Sequence, residues 1–160
     1  MSSLLALAGI RIDATASSQE EAVRLCGSVL QELGAVGPEY LDAMVTREKI
    51  ISSYMGEGVA LPHGTDDSRK YVNFTQLVFV RFANPVDWEG EKVKLCIGIA
   101  AKGDEHGELL GNLADKLLDE SSYSKLMSSN SEQEILDLIN TSKGIRSEGS
   151  NLPGTPGSQS

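Results

Sequence analysis

The chain carries two histidines, His63 and His106, and their neighbours decide what chemistry either can perform. Pro62 fixes the backbone just before His63, and Gly64 lets the chain turn sharply just after it. Gly56 and Gly58, upstream, allow the approach loop to pack tightly or to bring another backbone close. Such a frame holds one imidazole in a defined orientation with little bulk around its face. Gly64 and Thr65 can offer backbone N–H groups and a hydroxyl to an anion. These are the needs of a nucleophilic histidine that accepts a phosphoryl group: a neutral ring nitrogen toward phosphorus, with donors for the oxygens. For a lone histidine, a structural or surface role is the competing reading.

A phosphorylated site also needs charge compensation. Phosphorylation adds about 1.5 to 2 negative charges, and the chain already has a formal net charge of −9. Arg47 can supply a planar, two-pronged donor to phosphoryl oxygens; its alternative is a surface pair with Glu48, Asp42 or Glu39. His106, in Gly103-Asp104-Glu105-His106, can add a hydrogen bond or a positive charge. Metal binding is the rival chemistry, with Asp66, Asp67, Asp104 and Glu105 as possible oxygen donors. There is no His-x-x-x-His, no Cys pair and no regular carboxylate loop to support it, so no metal and no cofactor are expected. The glycines complete neither a P-loop nor Gly-x-Gly-x-x-Gly, and Gly-x-Ser-x-Gly is absent. Cys26 and Cys96 lie in apolar patterns without an activating motif, which reads as reduced, buried thiols; a disulfide between them stays open.

The elements that must hold these residues follow from periodicity. A short apolar segment at Gly9–Ile12 reads as an edge strand. Ser17 and Ser18 each have a glutamate three residues on, giving two possible capping boxes for a helix with Ala22, Leu25, Cys26, Val29, Leu30 and Leu33 on one face, stopped by Gly34. Pro38 opens a second helix whose stripe is Leu41, Met44, Val45 and Glu48, with Arg47 near its C-terminal end. A loop containing a short strand spans 56–65. Strands are expected at 73–82 and 93–100, the second covered on both faces, and 84–88 reads as a turn with a short strand in it. After His106 a helix buries Leu109, Leu110, Leu113, Ala114, Leu117 and Leu118. A short helical turn follows near 122–127, and Ser131 with Glu134 caps a last helix. The alternation of helices and strands predicts an α/β fold, a mixed central sheet of about five strands sandwiched between helices on both faces. Residues 1–140 form the domain, and the Gly, Ser and Pro-rich 141–160 are expected to be a disordered tail or linker.

Bulk composition narrows the function. With 160 residues, 40% of them hydrophobic and 23% charged, this is one ordinary globular domain. Its acidic balance and scattered basic residues exclude a nucleic-acid partner and suit a basic protein partner instead. The apolar first eight residues lack the basic lead of a signal peptide, and no stretch reaches membrane length, so a cytoplasmic location is expected.

The run Met55-Gly56-Glu57-Gly58-Val59-Ala60-Leu61-Pro62-His63-Gly64-Thr65 resembles the phosphorylation-site signature of enzyme IIA domains of the mannitol/fructose class. These belong to the phosphoenolpyruvate-dependent sugar phosphotransferase system. Residues 38–50 resemble the helix before this loop in the mannitol branch, and Ile97–His106 resembles the strand and loop carrying its second histidine. The resemblance covers about residues 2–140. It implies that His63 is phosphorylated through Nε2 and that Arg47 and His106 flank the phosphoryl group. It also implies a protein-histidine phosphotransferase component in mannitol uptake: the carrier protein HPr donates the group, a cysteine of enzyme IIB accepts it, and the membrane component IIC is reached through IIB. Fructose-class transport and a regulatory, nitrogen-type IIA acting through phosphorylation-dependent binding are the alternatives. Gly103 and Asp104 replace the polar pair usual in the mannitol branch.

Overall fold

The strand that begins the chain is longer than its apolar pattern announces. In a computed structural model, which describes residues 4–103 and 105–141, β1 runs Leu5–Ala14. It pairs in parallel with β4 (Gln76–Trp88), and register shifts after Leu5 and after Arg11 break the alternation that would have revealed its length. It lies at the sheet edge, as expected. The tail expected over 141–160 lies outside the described residues from 142 onward, as does Asp104.

The chain divides into two units, 1–109 and 110–160. The first holds a five-stranded mixed sheet in the order β1-β4-β5-β3-β2, where β5 is Glu91–Ala100, β3 Val59–Ala60 and β2 Tyr54–Gly56. Thus the α/β expectation with a mixed five-stranded sheet holds. The single short strand expected in 56–65 is instead a pair: β2 and β3 form a hairpin around Glu57-Gly58, both at positive φ (53° and 80°). The β4–β5 hairpin repeats the device with Glu89-Gly90, at 55° and 96°. Two-residue hairpin turns need left-handed backbone, which glycine adopts without penalty. The turn expected at 84–88 is therefore displaced: this segment continues β4, with Val86, Asp87 and Trp88 pairing with Val93, Lys92 and Glu91. Pro85, which cannot donate to a ladder, falls where the register shifts between Arg81 and Val86.

Helices α1 (Gln19–Glu32) and α2 (Glu39–Ile50) form as their signals indicate. Of the two candidate serines Ser18 is the cap, with its Oγ accepting from the Glu21 N–H at 3.1 Å. The box does not close, because the Glu21 carboxylate accepts from the Ser17 N–H rather than from that of Ser18. The Glu21 carboxylate accepts from the Ser17 hydroxyl, while Glu20 pairs with Arg24. On α2 the buried stripe is Tyr40, Met44, Val45 and Glu48; Leu41 is only half-buried. Tyr40, Met44 and Val45 join Ala22, Val23, Cys26, Val29 and Leu30 of α1 and Val78, Val80, Phe82, Cys96 and Ala100 of the sheet in one apolar cluster. Cys26 and Cys96 are free and buried there, as expected. Burial, with Cys26 beside it, pushes the Cys96 thiol well up, away from nucleophilic use. Leu77, Phe79, Ile97 and Ile99, which alternate with the cluster residues, are buried too.

A 3₁₀ helix, Asp66–Tyr71, follows the His63 loop and has no counterpart in the sequence-based expectation. Helix α3 (His106–Leu118) begins in the first unit and ends in the second. Leu109 and Leu113 are buried, but Leu118 is 83% exposed; at roughly 100° per residue it points about 180° away from Leu109. In the second unit α4 (Glu120–Ser128) extends the short turn expected there, capped by Asp119, and α5 (Glu132–Asn140) starts on the expected Ser131 cap. Leu126, Ile135 and Ile139 are buried, and Lys116 Nζ donates to the Ile139 carbonyl at 2.7 Å.

Candidate functional site

Parallel pairing brings the two histidines together. Val59 and Ala60 of β3 lie opposite Leu95 and Cys96 of β5, and the same register three residues on sets His63 beside Ile99. The Ile99 N–H donates to the Pro62 carbonyl at 2.9 Å, extending the ladder to the end of β5. His106, seven residues after Ile99, stands at the start of α3. Lys102 N–H donates to Thr75 Oγ1 at 3.0 Å, and the Thr75 hydroxyl donates to the Glu105 carboxylate, which ties both residues to Thr75. The site thus lies where two parallel neighbours end, the usual crevice for ligands in α/β sheets. The His63 and His106 ring centroids are 4.5 Å apart and tilted by 56°.

The His63 ring is oriented by its own loop. Nδ1 lies 2.8 Å from the Leu61 carbonyl oxygen, which can only accept, so Nδ1 carries the proton and Nε2 keeps its lone pair. Burial pushes the His63 pKa below the ordinary histidine value, and the Arg47 charge adds to this; the Leu61 hydrogen bond, Glu48 and Asp66 pull the other way. The residue is 8% exposed. The neutral, Nε2-nucleophilic form therefore prevails near neutral pH. For His106, burial also lowers the pKa, helped by His63, Arg69 and Arg47 against Asp66. Its Nε2 is buried and has no hydrogen-bond partner among the described residues. A buried polar atom left without a partner costs about 1–3 kcal/mol, which a ligand atom can restore.

Glycine at position 64 is required by packing. A Cβ built there would stand 2.4 Å from Ser68 Oγ and 2.6 Å from Tyr40 Cε1. The Tyr40 hydroxyl accepts from the Gly64 N–H at 2.9 Å and donates to the Ile99 carbonyl at 3.0 Å, bolting the loop to β5. This corrects one sequence-based expectation: the Gly64 N–H is engaged by Tyr40 rather than held ready for an anion.

Arg47 lies in the last turn of α2, where its charge reaches both histidines. Among the described residues it pairs with none of Glu48, Asp42 or Glu39: Nη1 donates to the Ile51 carbonyl at 2.8 Å, and Asp42 faces Arg24. Sequence alone assigns no role to Tyr40 or Arg69 and weighs Asp66 only as a possible metal ligand; on the 3₁₀ helix Asp66 and Arg69 form an ion pair at 3.3 Å whose charges act on His106. Tyr40 had one legible signal, four residues before Met44 on the same helical face.

Comparison with known proteins places the chain in a family. Residues 3–142 match the family described as "Phosphoenolpyruvate-dependent sugar phosphotransferase system, EIIA 2". The mannitol-specific phosphotransferase enzyme IIA component of Halalkalibacterium halodurans is 39% identical over 136 residues, 85% of this chain and 94% of that protein. The mannitol-specific EIICBA component of Vibrio cholerae is 40% identical over 137 residues, 84% of this chain but 21% of that longer protein. The structure of the complex of enzyme IIAMTL and phosphorylated enzyme IIBMTL from Escherichia coli superposes with a TM-score of 0.78 at 36% identity, covering 85% of this chain and 98% of that one. A family match over nearly the whole described chain, joined to two histidines at the ends of parallel strands, leads to one conclusion: the chain belongs to the EIIA 2 family of the phosphoenolpyruvate-dependent sugar phosphotransferase system.

Proposed function

We propose that this chain is the phosphocarrier for mannitol uptake: His63 takes a phosphoryl group from phosphorylated HPr and yields it to a cysteine of enzyme IIB. The observation that carries the reading is the His63–His106 pair, one ring oriented by Leu61 with Nε2 free to attack, the other with a buried, unpartnered Nε2 beside it. In the first step the Nε2 lone pair forms the N–P bond as the donor's N–P bond breaks. In the second, the IIB thiolate attacks phosphorus, the bond to Nε2 breaks, and His63 leaves as a neutral imidazole. Arg47 and His106 balance phosphoryl charge during both steps. Positioning and electrostatics carry the catalysis, and the covalent part of this chain falls to His63.

The mannitol-specific names of the relatives favour that sugar over the fructose-class and nitrogen-type regulatory readings. The carrier domain is residues 1–140, with 141–160 as tail or linker. It works in the cytoplasm, where HPr delivers the group, and serves the membrane component IIC through IIB. No helix among the described residues is long and apolar enough to cross a membrane.

The test is incubation with phosphoenolpyruvate, enzyme I and HPr. An acid-labile, base-stable phosphoryl group is expected, absent from His63→Ala; no mass gain, or equal gain in the variant, overturns the reading. Onward transfer to a mannitol-type IIB in preference to a fructose-type one identifies the sugar branch, and transfer to neither favours regulation.

A further inference from the structure

Glu48 is a carboxylate on the buried face of α2, 7% exposed, that the mechanism above does not use. It accepts four hydrogen bonds: from Trp88 Nε1 at 2.9 Å, Gln19 Nε2 at 3.0 Å, the Ser53 N–H at 2.9 Å and the Ser53 hydroxyl at 2.7 Å. The indole, the amide and the backbone N–H can only donate, so Oε2 is held as an acceptor by three of them. These donors come from the start of α1, the tip of the β4–β5 hairpin and the segment before β2. A buried charge held this way is costly to place and costly to disturb.

The contacts continue from Glu48 to the reactive ring. Ser53, fixed at its N–H and hydroxyl by Glu48, accepts at its carbonyl from the Leu61 N–H at 3.0 Å. Leu61 in turn offers its carbonyl to His63 Nδ1 at 2.8 Å. That oxygen belongs to the Leu61–Pro62 amide. Glu48 also directly follows Arg47, so one anchor fixes the helical turn that carries the guanidinium and the segment that orients the imidazole.

We propose that Glu48 is a positioning residue for phosphoryl transfer, holding His63 in its Nδ1–H tautomer through Ser53 and Leu61 and fixing the turn that bears Arg47. The inference rests on the phosphocarrier reading for its kinetic consequence, but the tautomer it sets is measurable without any transfer.

The substitutions separate charge from hydrogen bonding. Glu48→Gln keeps an acceptor toward the three N–H donors and turns its amide toward the Ser53 hydroxyl, which can accept. Glu48→Met nearly keeps the volume and replaces both carboxylate oxygens with a thioether that accepts only weakly. The readouts are the ¹⁵N NMR shifts of the His63 ring nitrogens in the unphosphorylated chain, and the single-turnover rate of phosphoryl transfer from HPr. Glu48→Met is expected to lose the dominance of the Nδ1–H tautomer and to transfer about 10- to 100-fold more slowly, the equivalent of one or two lost hydrogen bonds. Glu48→Gln is expected to retain the tautomer and to transfer within about threefold of the parent. Leu5→Ala, a buried truncation on β1, serves as a destabilised control with both readouts unchanged. A Glu48→Met chain with the parent's tautomer and rate overturns the proposal, as does a Glu48→Gln chain that loses both or a Leu5→Ala chain that reproduces the loss. If Glu48→Met does not fold, Ser53→Ala removes only the hydroxyl contact. It is expected to accelerate hydrogen exchange at the Leu61 N–H several-fold with a matching partial shift of the tautomer, and no change in either overturns the proposal. A correct tautomer response in a chain that gains no phosphate at His63 would sink the phosphocarrier reading while leaving the positioning of the ring intact.

Discussion

Replacing Tyr40 with phenylalanine removes one oxygen atom and two contacts, and the consequence can be worked from the structure. The hydroxyl lies between the Gly64 N–H, 2.9 Å away, and the Ile99 carbonyl, 3.0 Å away. Burial also raises its pKa, so it is a neutral hydroxyl able to donate and accept at once. Tyr40 is 4% exposed, so water does not readily replace the lost group. Each net hydrogen bond contributes about 1 kcal/mol, and a buried polar group left without a partner costs about 1–3 kcal/mol. Losing both partners should therefore destabilise the fold by about 2–4 kcal/mol. For a chain of this size that is a fall of about 5–15 °C in melting temperature. The same change frees the Gly64 amide, so its hydrogen exchange should accelerate more than that of Val78 or Val80 in β4. Thermal unfolding by circular dichroism and residue-resolved exchange read the two effects. A melting temperature within about 1 °C of the parent, with Gly64 still protected, would refute the claim that Tyr40 bolts the His63 loop to β5.

Gly64→Ala should be more damaging locally than its size suggests, because its Cβ meets Ser68 Oγ and the Tyr40 ring at 2.4 Å and 2.6 Å. Overpacking of this kind costs about 1–3 kcal/mol, and a urea titration together with the His63 ring shifts should show it. Arg47→Ala should slow transfer from HPr by about 10- to 100-fold, the loss of a charge-assisted contact. The stability change should stay below about 1 kcal/mol, since Arg47 donates to an exposed carbonyl; unchanged single-turnover kinetics would remove it from the site. Burial holds the pKa values of both histidines in the folded chain below the ordinary histidine value. As pH falls below about 6.5 the unfolded chain therefore binds more protons than the folded one, and stability is lost progressively until the folded pKa values are passed. Urea midpoints should drop between pH 7 and pH 5, and the drop should shrink in His63→Ala.

What was legible in the sequence were the features carried by local chemistry. Ser18 and Ser131 announced helix starts because a capping hydroxyl and its partner N–H lie three residues apart. His63 stood out because Pro62 and Gly64 flank it, and Glu48 fell on the buried stripe of α2 because 3.6-residue periodicity put it there. The length of β1 was hidden by register shifts, and the end of β4 by Pro85, which reads locally as a turn but is tolerated at an irregularity in the ladder.

Other features depended on which strands became neighbours. Residue spacing made His63 and His106 candidates separately; the parallel register of β3 with β5, extended to His63 and Ile99, set their rings 4.5 Å apart. The roles of Tyr40 and Glu48 were decided the same way. Tyr40 bonds to residues 24 and 59 positions away, and Glu48 accepts from residues up to 40 positions away. A sequence carries the capacity to donate, accept or attack at each position. Which capacities meet is fixed only when non-local strand pairing closes, because hydrogen bonds between distant segments form only in the assembled sheet.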